Sequence, residues 1–246
     1  MEVHAHTHTP RKKWTHYFWE FLMLFLAVFC GFLAENEREH YVEHQREKQY
    51  IRSLIRDVKT DTANITRWLL GFNRIKKSCD TILNNFDSLT KSYSAGRARN
   101  YFSIINGFPD FIYTDRTIQQ LKNSGGMRLI RKVAATDSII AYYAAVRDLL
   151  IEETTVSMYW DQLNDLTNKM FSYRKLNSAF KIKTAGEIEN EKMNFWIRQD
   201  ADQFELLYNL FYKYLEIVGI YNFYLSQLKN QGDRLVDFLQ KEYDLK

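Results

Sequence analysis

Beyond position 50 the apolar residues recur at intervals of three and four. Ile51, Val58, Ile65, Phe72, Cys79 and Phe86 lie seven apart, and Leu54/Ile55, Leu69, Ile75, Ile82/Leu83 and Leu89 fill the complementary position. A heptad seam of this length predicts a long helix with one buried stripe, weakest where Asp61 and Thr62 interrupt it. No Gly or Pro intervenes between Phe32 and Gly71, so the helix is expected to run unbroken from the preceding apolar segment to about Leu89. A second stripe follows in Ile139/Ile140, Tyr143, Val146, Leu149/Leu150, Val156, Trp160, Leu163, Leu166 and Met170, with Thr136 or Asp137 as its N-cap. The third places Phe204, Phe211, Val218, Leu225 and Leu239 in one position and Leu207, Tyr214, Tyr221, Leu228 and Leu235 in the other.

Between these runs, "KSYSAGRARN" reads as a turn and Pro109 breaks any helix. Asp115 to Lys122 reads as a short helix that "NSGG" ends with residues suited to a left-handed backbone. "NSAFKIKTAGEIENEK" reads as a polar connection. The expected architecture is all-α: an N-terminal transmembrane helix continuing into an elongated antiparallel bundle. Its long helices lie at about 35–90, 137–175 and 200–243, with an irregular segment at 92–126.

The first 34 residues have a different pattern. "FLMLFLAVFCGFLA" (Phe21 to Ala34) carries no charge, and extended back to Trp14 it spans about 31 Å as a helix, close to the thickness of a bilayer core. Phe21, Leu22, Leu24, Phe25, Leu26, Phe29, Phe32 and Leu33 supply the apolar surface. Trp14, Tyr17 and Trp19 supply the ring belt that favours headgroups. Glu20 falls about one turn inside, either at the interface or as an intramembrane acid. Signal-peptide cleavage after Ala34 would put Phe32 where a small residue is needed, and Phe29 is too bulky before Cys30 for lipoprotein processing. The segment is therefore expected to stay as an anchor. Arg11, Lys12 and Lys13 precede it, while Glu35, Glu37, Glu39 and Glu43 follow, so residues 1–13 are expected in the cytoplasm and residues 35–246 in the periplasm. In the third helix, Glu205, Lys213 and Glu216 argue against a second span.

Composition agrees with a helical reading: 9 Gly and 2 Pro are too few for many tight turns. With 34 basic against 30 acidic side chains, alternating along the helices, the balance suggests a solvated surface and no nucleic-acid partner. Cys30 and Cys79, the only thiols, make no disulfide framework.

Chemistry is sparse. His40, Glu43 and His44 have the H-x-x-E-H spacing that puts two imidazoles on one helix face. The remaining histidines, His4, His6, His8 and His16, lie before or at the start of the span, and Glu35, Glu39, Glu43 and Glu47 with Arg46 and Lys48 describe a solvated collar. A zinc hydrolase is thus the weaker reading, and no catalytic residue, cofactor or metal ligand is assigned. His4, His6 and His8 form a loose metal-binding tail at most. Arg97 and Arg99 fit a surface loop better than a phosphate contact, and Asn64-Ile65-Thr66 matches a glycosylation pattern.

The stretches "EFLMLFLAVFCGFLAENEREH" and "REKQYIRSLIRDVKTD", about 60 residues with the basic start, resemble an uncharacterised family of single-pass membrane proteins from Bacteroidota. "TIQQLKNSGGMRLIRK" with Tyr142 and Tyr143, about 30 residues, resembles a larger domain group of unknown function there. The resemblance implies a membrane location and adds no mechanism. The expected function is a non-enzymatic envelope scaffold that contacts the lipid bilayer and a protein partner or a second copy through helix packing. The alternative is a sensor subunit whose ligand site lies in the region from Ser92 to Gly126.

Overall fold

A computed structural model of the protein describes residues 13–99, 111–182, 184–190 and 192–245. Among the described residues the chain is all-α apart from one two-stranded ribbon and an isolated antiparallel bridge between Phe171 and Trp196. Helix α1 runs Trp14–Asn84, followed by the single turn α2 (Phe86–Leu89) and strand β1 (Tyr93–Ser94); residues 95–99 are helical. Helix α3 (Arg116–Asn123) and a turn of 3-10 helix (Gly126–Leu129) lead into α4 (Val133–Met170). Then come α5 (Tyr173–Ile182), α6 (Ala185–Asn190), strand β2 (Lys192–Met193) and α7 (Ala201–Glu242). The chain divides into a unit ending at Tyr50 and a second running Ile51–Lys246.

In the second unit the seams form the core. Ile51, Leu54, Val58, Ile65, Phe72, Ile75, Cys79 and Ile82 of α1 are buried. So are Ile139, Tyr142, Val146, Leu149, Val156, Leu163 and Met170 of α4, and Leu207, Phe211, Tyr214, Val218, Tyr221, Leu225, Leu228 and Leu239 of α7. Long-range contacts fix the directions. Lys132, at the entry to α4, meets Glu242 at the end of α7 with Nζ 3.0 Å from Oε1, and Tyr221 of α7 donates to Glu153 of α4 at 3.4 Å. On α1, Val58 and Thr62 face Gly232, Phe72 faces Tyr221 at 5.2 Å between ring centroids, and Phe86 beyond it faces Tyr208 at 5.2 Å. The register falls along α7 as it rises along α1 and α4, so α7 runs antiparallel to both.

Several boundaries differ from the sequence expectation. Helix α1 ends at Asn84, where Asn85 leaves helical geometry (φ −118°, ψ 16°) and its N–H bonds Ile82 O at 3.2 Å. Helix α4 begins at Val133, so Thr136 does not cap it; its hydroxyl donates back to Ile130 O at 3.2 Å. The polar connection after α4 folds as α5 and α6, because Leu176 and Ala179 still have a core to enter. Ile140, placed on the apolar stripe, is exposed, and Tyr142 takes the inward position. Asp200, about where the third helix was expected to begin, caps α7 by accepting from Gln203 N at 2.8 Å. Gly125, with φ 66°, ends the segment after α3 in the left-handed conformation that "NSGG" anticipates. Pro109 lies outside the described residues.

Where α2, β1, β2 and the start of α7 meet, rings close the bundle. Trp196 stacks edge-on to Phe204 at 5.0 Å and to Phe171 at 5.7 Å, and Tyr93 meets Phe195 at 5.5 Å. Trp196 Nε1 donates to Leu89 O at 2.6 Å. The ribbon pairs Tyr93 with Met193 and Ser94 with Lys192.

Candidate functional site

Three places hold residues the bundle itself does not explain. The first is the start of α1. Residues 14–34 are exposed apart from half-buried Leu22, and this is the one helix among the described residues long and apolar enough to cross a membrane. Trp14, Phe18, Phe21, Phe25, Phe29 and Phe32 follow at three- and four-residue steps and share a face. Their rings lie in series: Trp14–Phe18 at 6.2 Å, Phe21–Phe25 at 6.3 Å and Phe25–Phe29 at 5.8 Å. Leu24, Leu26 and Leu33 are exposed elsewhere on the sleeve, with Tyr17 and Trp19 at its start. Leaving a large apolar side chain in water forgoes about 1.5–3 kcal/mol, and soluble monomers rarely carry such a continuous sleeve. Glu20 is exposed, with Oε1 3.9 Å from His16 Nε2. Lys13 is exposed; Arg11 and Lys12, with His4, His6 and His8, lie outside the described residues.

The second is the collar. Arg38 donates to Glu35 at 2.9 Å and 2.5 Å, and these hydrogen bonds hold the Glu35 carboxyl below its usual range. His40 is exposed, Glu43 is half-buried, and His44 Nδ1 lies 3.4 Å from Oε2 of Glu47, which is buried. His40 and His44 thus share a helix face, as their spacing requires. No three His, Cys, Asp or Glu side chains gather into a metal-holding group among the described residues.

The third lies where the α1 seam was weakest. Asp57 and Asp61, one turn apart, both have 0% exposure. Asp57 Oδ1 accepts from Arg116 Nε at 2.7 Å, and its Oδ2 accepts from Thr117 N at 3.2 Å and from the Thr117 hydroxyl. Asp61 Oδ1 accepts from Thr114 N at 2.7 Å and Oδ2 from the Tyr142 hydroxyl at 3.2 Å. Tyr143 donates to Thr114 O at 3.5 Å. Two carboxylates of α1 therefore pin the stretch 114–117 and α4 to the seam. Burial pushes the Asp61 carboxyl up to about 6; the Thr114 and Tyr142 hydrogen bonds oppose this and the neighbouring Asp57 charge adds to it. Burial likewise drives the Tyr142 and Tyr143 phenols above their usual range and pushes the Cys79 thiol up to about 12.

Sequence reasoning passed over this cluster, taking Asp61 and Thr62 as a flaw in the seam. The available signal was the acid pair at i and i+4 on an otherwise apolar helix side; nothing local showed which partners would arrive from 114–117. The segment expected to carry a sensor's ligand, Ser92 to Gly126, is tied into the bundle where it is described: Tyr93 is buried among rings, and Thr114, Arg116 and Thr117 are spent on the two aspartates. Arg97 and Arg99 are exposed, and Arg99 sits 4.9 Å above the Phe180 ring. Compared with known proteins, the chain matches no protein-family model, no curated protein and no solved structure.

Proposed function

We propose that the chain is a membrane-anchored, non-enzymatic envelope protein that works as a scaffold or protein-interaction module. One observation carries this reading. The same helix that buries a narrow stripe after Ile51 leaves its whole circumference apolar and exposed over residues 21–34, apart from half-buried Leu22. Hydrocarbon is the solvent that such a surface matches, and a 21-residue span has the required length of about 31 Å. The basic residues Arg11, Lys12 and Lys13 support a cytoplasmic N-terminus, with the bundle on the periplasmic face of the inner membrane. The resemblance of the first 60 or so residues to bacterial single-pass proteins points the same way. The contacts of Asp57 and Asp61 serve packing, which favours a binding platform over a reaction centre.

Membrane fractionation tests the anchor: the protein should stay with the membrane after alkaline carbonate and leave it only in detergent. A reporter fused after Lys246 should be active outside the cytoplasm. Release by carbonate, or a reporter active only inside, would sink the reading. A sensor is the second reading, favoured by the uninterrupted course of α1 from Trp14 to Asn84. Deleting residues 2–10 would abolish the output of a sensor and leave a scaffold nearly unaffected.

A further inference from the structure

The charges of α1 look balanced in sequence and are not balanced on the surface. Between Ile51 and Cys79 the helix carries two acids, Asp57 and Asp61, and both are buried. Its seven cations in that stretch, Arg52, Arg56, Lys59, Arg67, Arg74, Lys76 and Lys77, are all exposed. The expectation of alternating, mutually neutralising charge therefore fails here. Six of the seven stand in one line, because Arg52, Arg56, Lys59, Arg67, Arg74 and Lys77 follow steps that return to the same side of a 3.6-residue helix. The line is about 37 Å long at about 1.5 Å per residue. Among the described residues none of the six forms an ion pair with a carboxylate. Asp244 and Gln240 line a groove beside Arg52, Arg56 and Lys59, and half-buried Asp80 follows one turn beyond Lys77.

Two further features distinguish this face from solvated lysine-rich surface. Arg56 is held to Ser53 Oγ at 2.9 Å and Arg67 to the side chain of Asn64, so these guanidinium groups are ordered before any partner arrives. Along the same line Ala63, Thr66 and Leu70 alternate with the cations, and Leu70, between Arg67 and Arg74, is 58% exposed. An apolar centre flanked by charge is the anatomy of a protein–protein interface, and a bare polyanion has no use for it.

We infer that the outer face of α1 from Arg52 to Lys77 is a docking surface for an acidic helix of a partner protein, with Leu70 packing at its centre. Carboxylates at three- and four-residue steps on such a helix match the cations, and arginine suits them because its planar fork donates to both carboxylate oxygens at once. The inference deepens the interaction-module reading and rests on it.

The test uses the full chain in non-ionic detergent and a synthetic helical peptide bearing glutamates along one face with a central leucine. The peptide should bind, with affinity falling as salt rises. A variant carrying Arg52→Gln, Arg56→Gln, Arg67→Gln and Arg74→Gln should bind about tenfold or more weakly while keeping its helicity, since each exposed pair contributes modestly and four are removed. Leu70→Ser should weaken the leucine peptide and leave a serine version of it unchanged. Three outcomes would overturn the inference: no peptide binding at physiological salt, equal binding by the four-fold variant, or polyphosphate or phosphatidylglycerol vesicles binding as tightly with no effect of Leu70→Ser. Carbonate extraction of the wild type reads the anchor separately, so peptide binding with a lost anchor would refute the membrane reading and spare the docking surface.

Discussion

The two ends of the bundle solve the same problem with opposite chemistry. Around Asp57 and Asp61, the chain arriving from 114–117 is attached through carboxylate oxygens by four hydrogen bonds, with a fifth from Tyr142 of α4. Around Trp196, the segments returning from α2 and β2 are packed through edge-on rings, with the indole hydrogen bond to Leu89 O and backbone hydrogen bonds from Ile197 N to Met170 O and from Ser172 N to Phe195 O, each at 2.7 Å. The ring end depends on area removed from water and is nearly indifferent to pH. The acid end depends on direction and charge, and a buried carboxylate costs energy whenever it must ionise. A helix bundle thus has one end that tolerates changes of solution and one that registers them.

The comparison can be broken most severely at the ring end. Trp196→Ala removes a buried ring and strands the Leu89 carbonyl, so a loss of about 3–5 kcal/mol is expected in denaturant unfolding of the full chain in detergent. A loss below about 1 kcal/mol would mean the rings are not what closes that end. Next comes the pH response of the acid end. The Asp61 carboxyl rises from 3.8 to about 6 on folding, so its neutral form is the one the fold favours. Its contribution is fully present below pH 3.8 and is lost as pH rises through 6. Relative to a non-titrating Asp61→Asn chain, the wild type should lose on the order of 3 kcal/mol between pH 3.5 and 7.5. A gap that instead moved in favour of the wild type would show that the carboxyl is stabilised as an anion.

Gly232 sharpens the comparison on a smaller scale. A Cβ there would lie 2.6 Å from Thr62 Cγ2, 3.1 Å from Tyr142 Cε2 and 3.2 Å from Val58 Cγ1. Gly232→Ala should therefore cost about 1–3 kcal/mol and weaken protection of Tyr142 and Asp61 in hydrogen exchange before that of Trp196. The smallest effect is expected at Gly125, whose φ of 66° an alanine adopts at a cost of about 1 kcal/mol. No atom lies within 4 Å of its Cβ position, so the change should be purely one of backbone, read as a small fall in the unfolding midpoint.

The seams were legible because a 3.6-residue period leaves its trace in every turn: Tyr214 and Tyr221 are buried where the third heptad places them. The turn at Gly125 was legible for the same reason, being decided within a few residues. The empty place in that heptad between Leu225 and Leu239 was not legible as a contact. It is Gly232, small because α1 and Tyr142 press against it from distant parts of the chain. Asp61 was misread on similar grounds, since a polar residue in a seam is a flaw until a donor such as Thr114 N arrives. The stretch from Asn177 to Lys192 was read as a polar connection, although a short helix needs only a few inward residues, here Leu176 and Ala179 of α5.

Local periodicity, then, was sufficient to determine that this chain is helical, which sides of its helices are buried after Ile51, and that residues 21–34 have no polar side at all. Those properties belong to spacing and solvation, and spacing is written in the order of residues. Which acids go inside, and so which cations are left without counter-charge along α1, was decided only when 114–117 and α4 closed over Asp57 and Asp61. Electrostatic balance is a property of surfaces, and a surface exists only after the chain has chosen what to bury.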